Sequence, residues 1–291
     1  METAPPAPDI AKIITAYDNY TFREQRRPRT VGRYYPSEAY HCLRRQAYTY
    51  AAGVDPTPDP YVLSALSGGI MHHSRVAEAL RWWAESHGYT FAGEVPVHYV
   101  ERGASGLEVT VSGRLDDVII MRGGGGDTVV VEVKTVASMK RAVLPKKAHI
   151  AQLNFYLKAY PNALGVLLVV DRGTGAIRQY TYRFNPQLFN ESLVRIRRLH
   201  MSLTTSTLPE AEAKQDPEMQ WMCRTCAFSE LCSNNRPLSD AAAERSRFNF
   251  MGVKGGEERG TPPPLREARR GMNSPLSPKP RPSGEGGGGQ T

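Results

Sequence analysis

The sequence contains no long hydrophobic run. Nowhere do apolar residues approach the roughly 20 in succession that a membrane-spanning helix requires, so no membrane partner is expected. A basic start followed by an apolar stretch is also missing, so no secretory leader is expected and the reading is a cytoplasmic protein. Internal repeats are absent. Cysteine is scarce, with four in 291 residues: Cys42, Cys223, Cys226 and Cys232. In a reducing compartment, closely spaced cysteines are more often metal ligands or redox groups than structural disulfides.

What is present suits a folded, polyanion-binding protein. Hydrophobic residues make up 40% of the chain, enough for one good core with length left over for an accessory module or tail. The net charge is +8 and the isoelectric point about 9.3. Such a balance favours a polyanion, of which nucleic acid is the commonest.

Hydrophobic periodicity divides the chain into elements. Residues 1–33 form a lead-in, Pro- and Ala-rich at the start and polar and helical from about Asp9 to Arg27. Helices are predicted over Tyr34–Ala52, with Ser37 as N-cap, and over Ser67–His87. The period then changes to that of strands: Phe91–Val100, then Leu107–Met121 with a bend at Gly113. After the glycine turn Gly123–Asp127 comes the apolar strand Thr128–Val136. A helix over Lys146–Tyr160 stops at Pro161. A hairpin, Ala163–Val170 and Ile177–Phe184, and a basic amphipathic helix, Pro186–Leu203, complete the pattern. The expected fold is α/β, a mixed central sheet flanked by helices. The main domain is expected over 34–236, a short extension over 237–251, and a disordered Gly/Pro-rich tail over 252–291.

Val131-Glu132-Val133-Lys134 places two charges on a very apolar strand. Alternation sends Glu132 and Lys134 to one face, and a buried charge is costly unless paired or bound to metal. Pairing through the glycine turn brings Asp116, of Ser112-Gly113-Arg114-Leu115-Asp116-Asp117, close to Glu132. By the same alternation Asp117 faces away. Oxygen ligands of this kind suit Mg²⁺ or Mn²⁺. Such an ion can activate water and stabilise charge on a scissile phosphate.

In this order the residues resemble the RecB-like branch of the PD-(D/E)XK nuclease superfamily. The resemblance rests on Gly113–Asp116, Glu132–Lys134, an upstream G-x-x-x-H and a downstream Q-x-x-x-Y at Gln152–Tyr156, a pair sharing one helix face. It implies a restriction-endonuclease-like core, Asp116 and Glu132 as ligands of Mg²⁺ or Mn²⁺ together with the carbonyl of Val133, and Lys134 as catalytic. It further implies that Gln152 and Tyr156 look toward the active site and the DNA. The histidine ligand is His72 or His73, since Gly68–His72 and Gly69–His73 both fit; Met71 before His72 favours the former.

Cys223-x2-Cys226-x5-Cys232 with the distant Cys42 makes a four-thiolate set only if the two ends of the domain meet in space. Such a set fits zinc or an iron–sulfur cluster. Its spacing resembles the [4Fe–4S] arrangement of AddB-type nucleases and of the CRISPR-associated exonucleases of the fourth Cas family. Arg44 and Arg45 echo the C-x-R segment of those proteins and are carried over as DNA-binding candidates. Arg195, Arg197, Arg198, Lys146 and Lys147 are further candidates for backbone contact.

The function implied is a metal-dependent exonuclease acting on single-stranded DNA ends, with 5′→3′ polarity, in the cytoplasm of a bacterial cell or phage-infected host. Its setting would be recombination, repair, phage DNA processing or CRISPR spacer acquisition, with protein partners from those processes. No phosphate-binding loop G-x-x-x-x-G-K-[ST] is present, which argues for a nuclease without a helicase motor. The alternatives are a structure-specific endonuclease, a non-catalytic iron–sulfur DNA-binding protein, and a zinc-stabilised structural protein.

Overall fold

A computed structural model describes residues 9–24, 26, 28–102, 108–121 and 128–250. The glycine turn Gly123–Asp127 and the tail from residue 252 lie outside the described residues. In chain order the elements begin with α1 (Ile10–Glu24), β1 (Arg33–Tyr34), a 3-10 turn at Pro36–Glu38, α2 (Leu43–Ala52) and α3 (Pro60–Ser86). They continue with β2 (Thr90–Arg102), β3 (Glu108–Ile120), β4 (Thr128–Val136), α4 (Lys147–Ala159), β5 (Leu164–Asp171), β6 (Ile177–Tyr182) and α5 (Pro186–Thr204). The last are α6 (Glu212–Gln215), a 3-10 turn at Gln220–Thr225, α7 (Ser229–Ser233), α8 (Leu238–Ala243) and α9 (Arg245–Phe250). No helix among the described residues is long and apolar enough to cross a membrane.

The strands form one mixed sheet in the order β1-β3-β4-β5-β6, with β2 paired along β3. β3 runs antiparallel to β4, β4 parallel to β5, and β5 antiparallel to β6. Alternation along the buried strands supplies both faces of the sheet. Val130, Leu167 and Val169 pack with Leu153, Tyr156 and Leu157 of α4. Val131, Val133, Val166, Leu168 and Val170 pack with Val76 of α3. A third cluster joins α2 and α5 to Phe228, Leu231, Leu238, Ala241 and Phe248, so α8 and α9 share the core of the helices before them.

The helix expected over Tyr34–Ala52 is broken. Pro36 starts a short 3-10 turn, and the α-helix begins only at Leu43, with Cys42 rather than Ser37 at its N-cap. The next helix starts earlier than expected, at Pro60, because Asp59 caps it by accepting from the Val62 N–H at 3.0 Å. β3 continues through Gly113. That glycine serves close approach, since an added Cβ would stand 2.8 Å from the Tyr156 hydroxyl and 3.1 Å from Pro36.

Candidate active site

The site arises where two strands part. β3 and β4 pair from Ile120↔Thr128 to Asp117↔Val131, and the ladder ends there. At the next position Asp116 takes over with its side chain, Oδ2 accepting from the Val133 N–H at 2.7 Å. On the β3 side of the fork, the Arg114 carbonyl accepts from the Tyr156 hydroxyl at 2.9 Å. Gln152, one turn earlier on α4, donates to the Tyr156 hydroxyl at 3.3 Å. Side chains thus satisfy backbone groups that no strand partner reaches, and the space between the strands stays open.

That space is a cavity of about 240 Å³ lined by Asp116, Glu132, Lys134, Gln152 and Tyr156, with Pro36, Ser37, Glu94, Gly113 and Arg114. The sequence motifs therefore converge as expected. Pro36, Ser37 and Glu94 were not expected. Ser37 reaches the cavity because the 3-10 turn carries it there, and Glu94 because β2 runs antiparallel beside β3.

Glu132 is fully buried, and one of its oxygens accepts from the Lys134 ammonium. The other, Oε2, has no hydrogen-bond partner among the described residues. Burial pushes the Glu132 carboxyl up to about 7, the nearby charge of Asp116 adding to this and Lys134 opposing it. An orphaned carboxylate oxygen in such a place is costly unless a cation or proton meets it. Asp117 is buried too, and burial, then the charge of Asp116, push it up to about 7.

Of the two histidines, His73 is the one that meets the carboxylates: its Nδ1 lies 3.6 Å from Asp116 Oδ1. The preference for His72 is thereby reversed. Burial pulls the His73 pKa down, but the hydrogen bond and charge of Asp116 outweigh it, and the net shift is upward. The glycine of this motif has a packing role, since an added Cβ at Gly69 would stand 3.3 Å from Thr135 Oγ1, so α3 lies close to the end of β4. Among the described residues no three His, Cys, Asp or Glu groups already close on a common metal position.

The four cysteines line a second cavity, with Arg45, Tyr48, Lys214 and Met222. None forms a disulfide. Burial raises the thiol pKa of Cys223 and of Cys226, neighbouring cysteines add to it, and Arg45 opposes it. Hydrogen bonds from α2 hold the cavity together. The Leu43 N–H donates to Glu212 at 3.0 Å, Arg44 Nε to the Pro209 carbonyl at 2.6 Å, and the Tyr48 hydroxyl to the Arg236 carbonyl at 2.6 Å. Arg44 also donates to Asn235 at 2.6 Å. Two of its nitrogens, Nε and one Nη, are thus engaged in the cysteine region, and Arg45 lines the cysteine cavity.

Two more arginines depart from expectation. Arg195 is half-buried, chelates Glu212 through two 2.9 Å bonds and donates to the Ala39 and His41 carbonyls. Arg197 pairs with Glu101. A lysine expected to contact backbone, Lys147, lies 3.3 Å from Glu191. Of these, Arg195 is an internal tie, while Lys147 and Arg197 form ion pairs at the surface.

With this geometry in view, comparison with known proteins gives consistent results. The family model described as the PD-(D/E)XK nuclease superfamily matches residues 36–233. A CRISPR-associated exonuclease Cas4 from Saccharolobus solfataricus is 27% identical over 199 residues, covering 68% of this chain and 86% of that protein. The crystal structure of SSO0001, 21% identical, covers 78% of this chain and 97% of that one with a TM-score of 0.55, a likeness of fold.

Proposed function

Because the chain belongs to the PD-(D/E)XK nuclease superfamily, we propose that it is a metal-dependent exonuclease that shortens single-stranded DNA from its 5′ ends. The observation that carries this reading is the fork between β3 and β4, where Asp116, Glu132, Lys134, Gln152 and Tyr156 line one cavity and His73 stands against Asp116. The Saccharolobus relative, an exonuclease by name, supports the same choice.

The donor set fits a hard divalent cation: two carboxylates, one of them with a buried oxygen lacking a partner among the described residues, an imidazole, and the Val133 carbonyl on the strand between Glu132 and Lys134. Asp116, Glu132, His73 and Val133 would hold Mg²⁺ or Mn²⁺. When bound, such an ion supplies a Lewis acid beside the scissile phosphate and lowers the pKa of the attacking water. Lys134, held by its bond to Glu132, would donate a hydrogen bond to the phosphate oxygens as charge builds. Gln152 and Tyr156 orient the strand backbone, each already fixed by a hydrogen bond.

The cysteine cavity fits a four-thiolate group, and we assign it a [4Fe–4S] cluster held by Cys42, Cys223, Cys226 and Cys232. Four cysteines on one cavity with none in a disulfide support this. The group would staple α2 to the C-terminal helices, away from the chemistry. We place the protein in the cytoplasm, acting with partners in recombination or CRISPR adaptation.

The test uses protein purified without oxygen and single-stranded DNA labelled at either end, with Mg²⁺ or Mn²⁺, beside Lys134→Ala. Wild type is expected to degrade the DNA only with metal, losing the 5′ label first, and Lys134→Ala to be slower by about a hundredfold or more. Loss of the 3′ label first would reverse the polarity. Binding without cleavage by wild type would make the protein a non-catalytic DNA binder.

A further inference from the structure

The face of α4 that serves the active site does not stop at Gln152. Three residues before it lies His149, so His149, Gln152 and Tyr156 follow one stripe, and Lys146, the N-cap residue, stands at its N-terminal end. Along a helix the six residues from Lys146 to Gln152 amount to about 9 Å, or one to two nucleotides of extended strand. His149 feels the positive charge of both Lys134 and Lys146, as expected of a residue between the cavity and the end of the stripe.

Lys146 itself stands over the indole of Trp221, its ammonium 4.2 Å from the ring centroid. Trp221 belongs to the 3-10 turn Gln220–Thr225, which also carries Cys223. Trp221 keeps 39% of its surface exposed. Of the cations on the adjoining helices, Lys147 pairs with Glu191, Arg195 with Glu212 and Arg197 with Glu101. Lys146 has no carboxylate partner among the described residues, which leaves its ammonium open to an outside anion although burial lowers its pKa. A cation with no carboxylate over one face of a partly exposed indole is a combination that suits an unpaired nucleotide, the base stacked against the ring and the phosphate neutralised.

We propose that Lys146 and Trp221 form a single-strand rest at the end of the α4 stripe, stacking one unpaired base and its phosphate so that the strand continues over Gln152 and Tyr156 into the cavity. The inference rests on the nuclease reading and adds to it a role for the cysteine segment, which places Trp221. A duplex, whose bases are already stacked, has nothing to offer the indole, so the rest selects unpaired strands.

The first test is photocrosslinking on the complete, cluster-loaded protein in chelator, so that no cleavage occurs. A 5-iodouracil-substituted oligodeoxythymidine is irradiated and the crosslinked peptide mapped. A crosslink at Trp221 is expected. Anisotropy titrations then compare variants: Trp221→Ala and Lys146→Ala are expected to bind the single strand about tenfold more weakly, the loss typical of one stacked base or one phosphate contact, and Trp221→Phe nearly as wild type. Wild-type binding and metal-dependent cleavage with no Trp221 crosslink and no loss in either variant would overturn the rest and leave the nuclease reading standing. Wild type that neither binds nor cleaves single strands would overturn both. Lys134→Ala separates the two, since it should lose cleavage and keep the Trp221 crosslink.

Discussion

The catalytic cavity and the cysteine cavity draw on the chain differently. Most of the first comes from one continuous stretch, residues 113–156, joined by Pro36, Ser37, Glu94 and His73. The second joins Cys42 to Cys223, Cys226 and Cys232 across nearly the whole domain. The first holds a buried carboxylate oxygen with no partner among the described residues, which costs stability. In the second, α2 is tied to the C-terminal segment by backbone and side-chain hydrogen bonds. One region stores cost and the other restrains the chain. A substitution should therefore lose activity in one and stability in the other.

The sharpest way to break that contrast is Glu132→Gln. It removes a buried charge from the fork, so cleavage should fall on the order of a thousandfold, several kcal/mol of transition-state stabilisation. The melting temperature of the metal-free protein should hold or rise. A large drop in melting temperature would mean that Glu132 is structural. Cys226→Ser should do the opposite. It should abolish the iron, the sulfide and the absorbance near 400 nm, and lower stability on the order of several kcal/mol. A colourless wild-type preparation carrying zinc instead would replace the cluster with a zinc site.

The smallest effect concerns pH. Glu132 has a folded pKa of about 7, raised above its ordinary value, so its proton stabilises the folded state below the unfolded pKa. That contribution fades as pH rises through about 7. A divalent cation binds the ionised carboxylate and a neutral His73, and both forms gain as pH rises. The increase in melting temperature caused by Mn²⁺ should therefore grow steadily from pH 5.5 to 8. His41 and His149, held neutral by burial with values near 3, stabilise the fold in the opposite sense but cancel in the with-minus-without comparison. An increment independent of pH would remove Glu132 from the metal site.

The same contrast explains what could be read without coordinates. The strand Thr128–Val136 was legible to the residue, because a continuous apolar run with two charges two positions apart leaves few alternatives. Asp116 near Glu132 followed from the hairpin alone. His72 against His73 could not be decided by spacing, since both glycines fit. The choice depends on the rotation of α3, which the close contact of Gly69 with Thr135 sets. Glu94 was invisible, because strand pairing brought it to the cavity without any motif of its own. The arginines misled for a related reason. Arg44 and Arg195 look like surface cations in the sequence, and only distant partners, Pro209, Asn235 and Glu212, show them to be internal ties. The broken first helix was legible in principle from Pro36, which cannot continue a helix begun before it.

Gly113 imposes a coupling among three otherwise unrelated positions. A methyl group there would collide with the Tyr156 hydroxyl on one side and crowd the Pro36 ring on the other, so position 113 can enlarge only if 156 sheds its hydroxyl and 36 gives way as well. Among descendants of this chain the three should change together or not at all, and a directed-evolution library that varies them singly would sample almost nothing but losses.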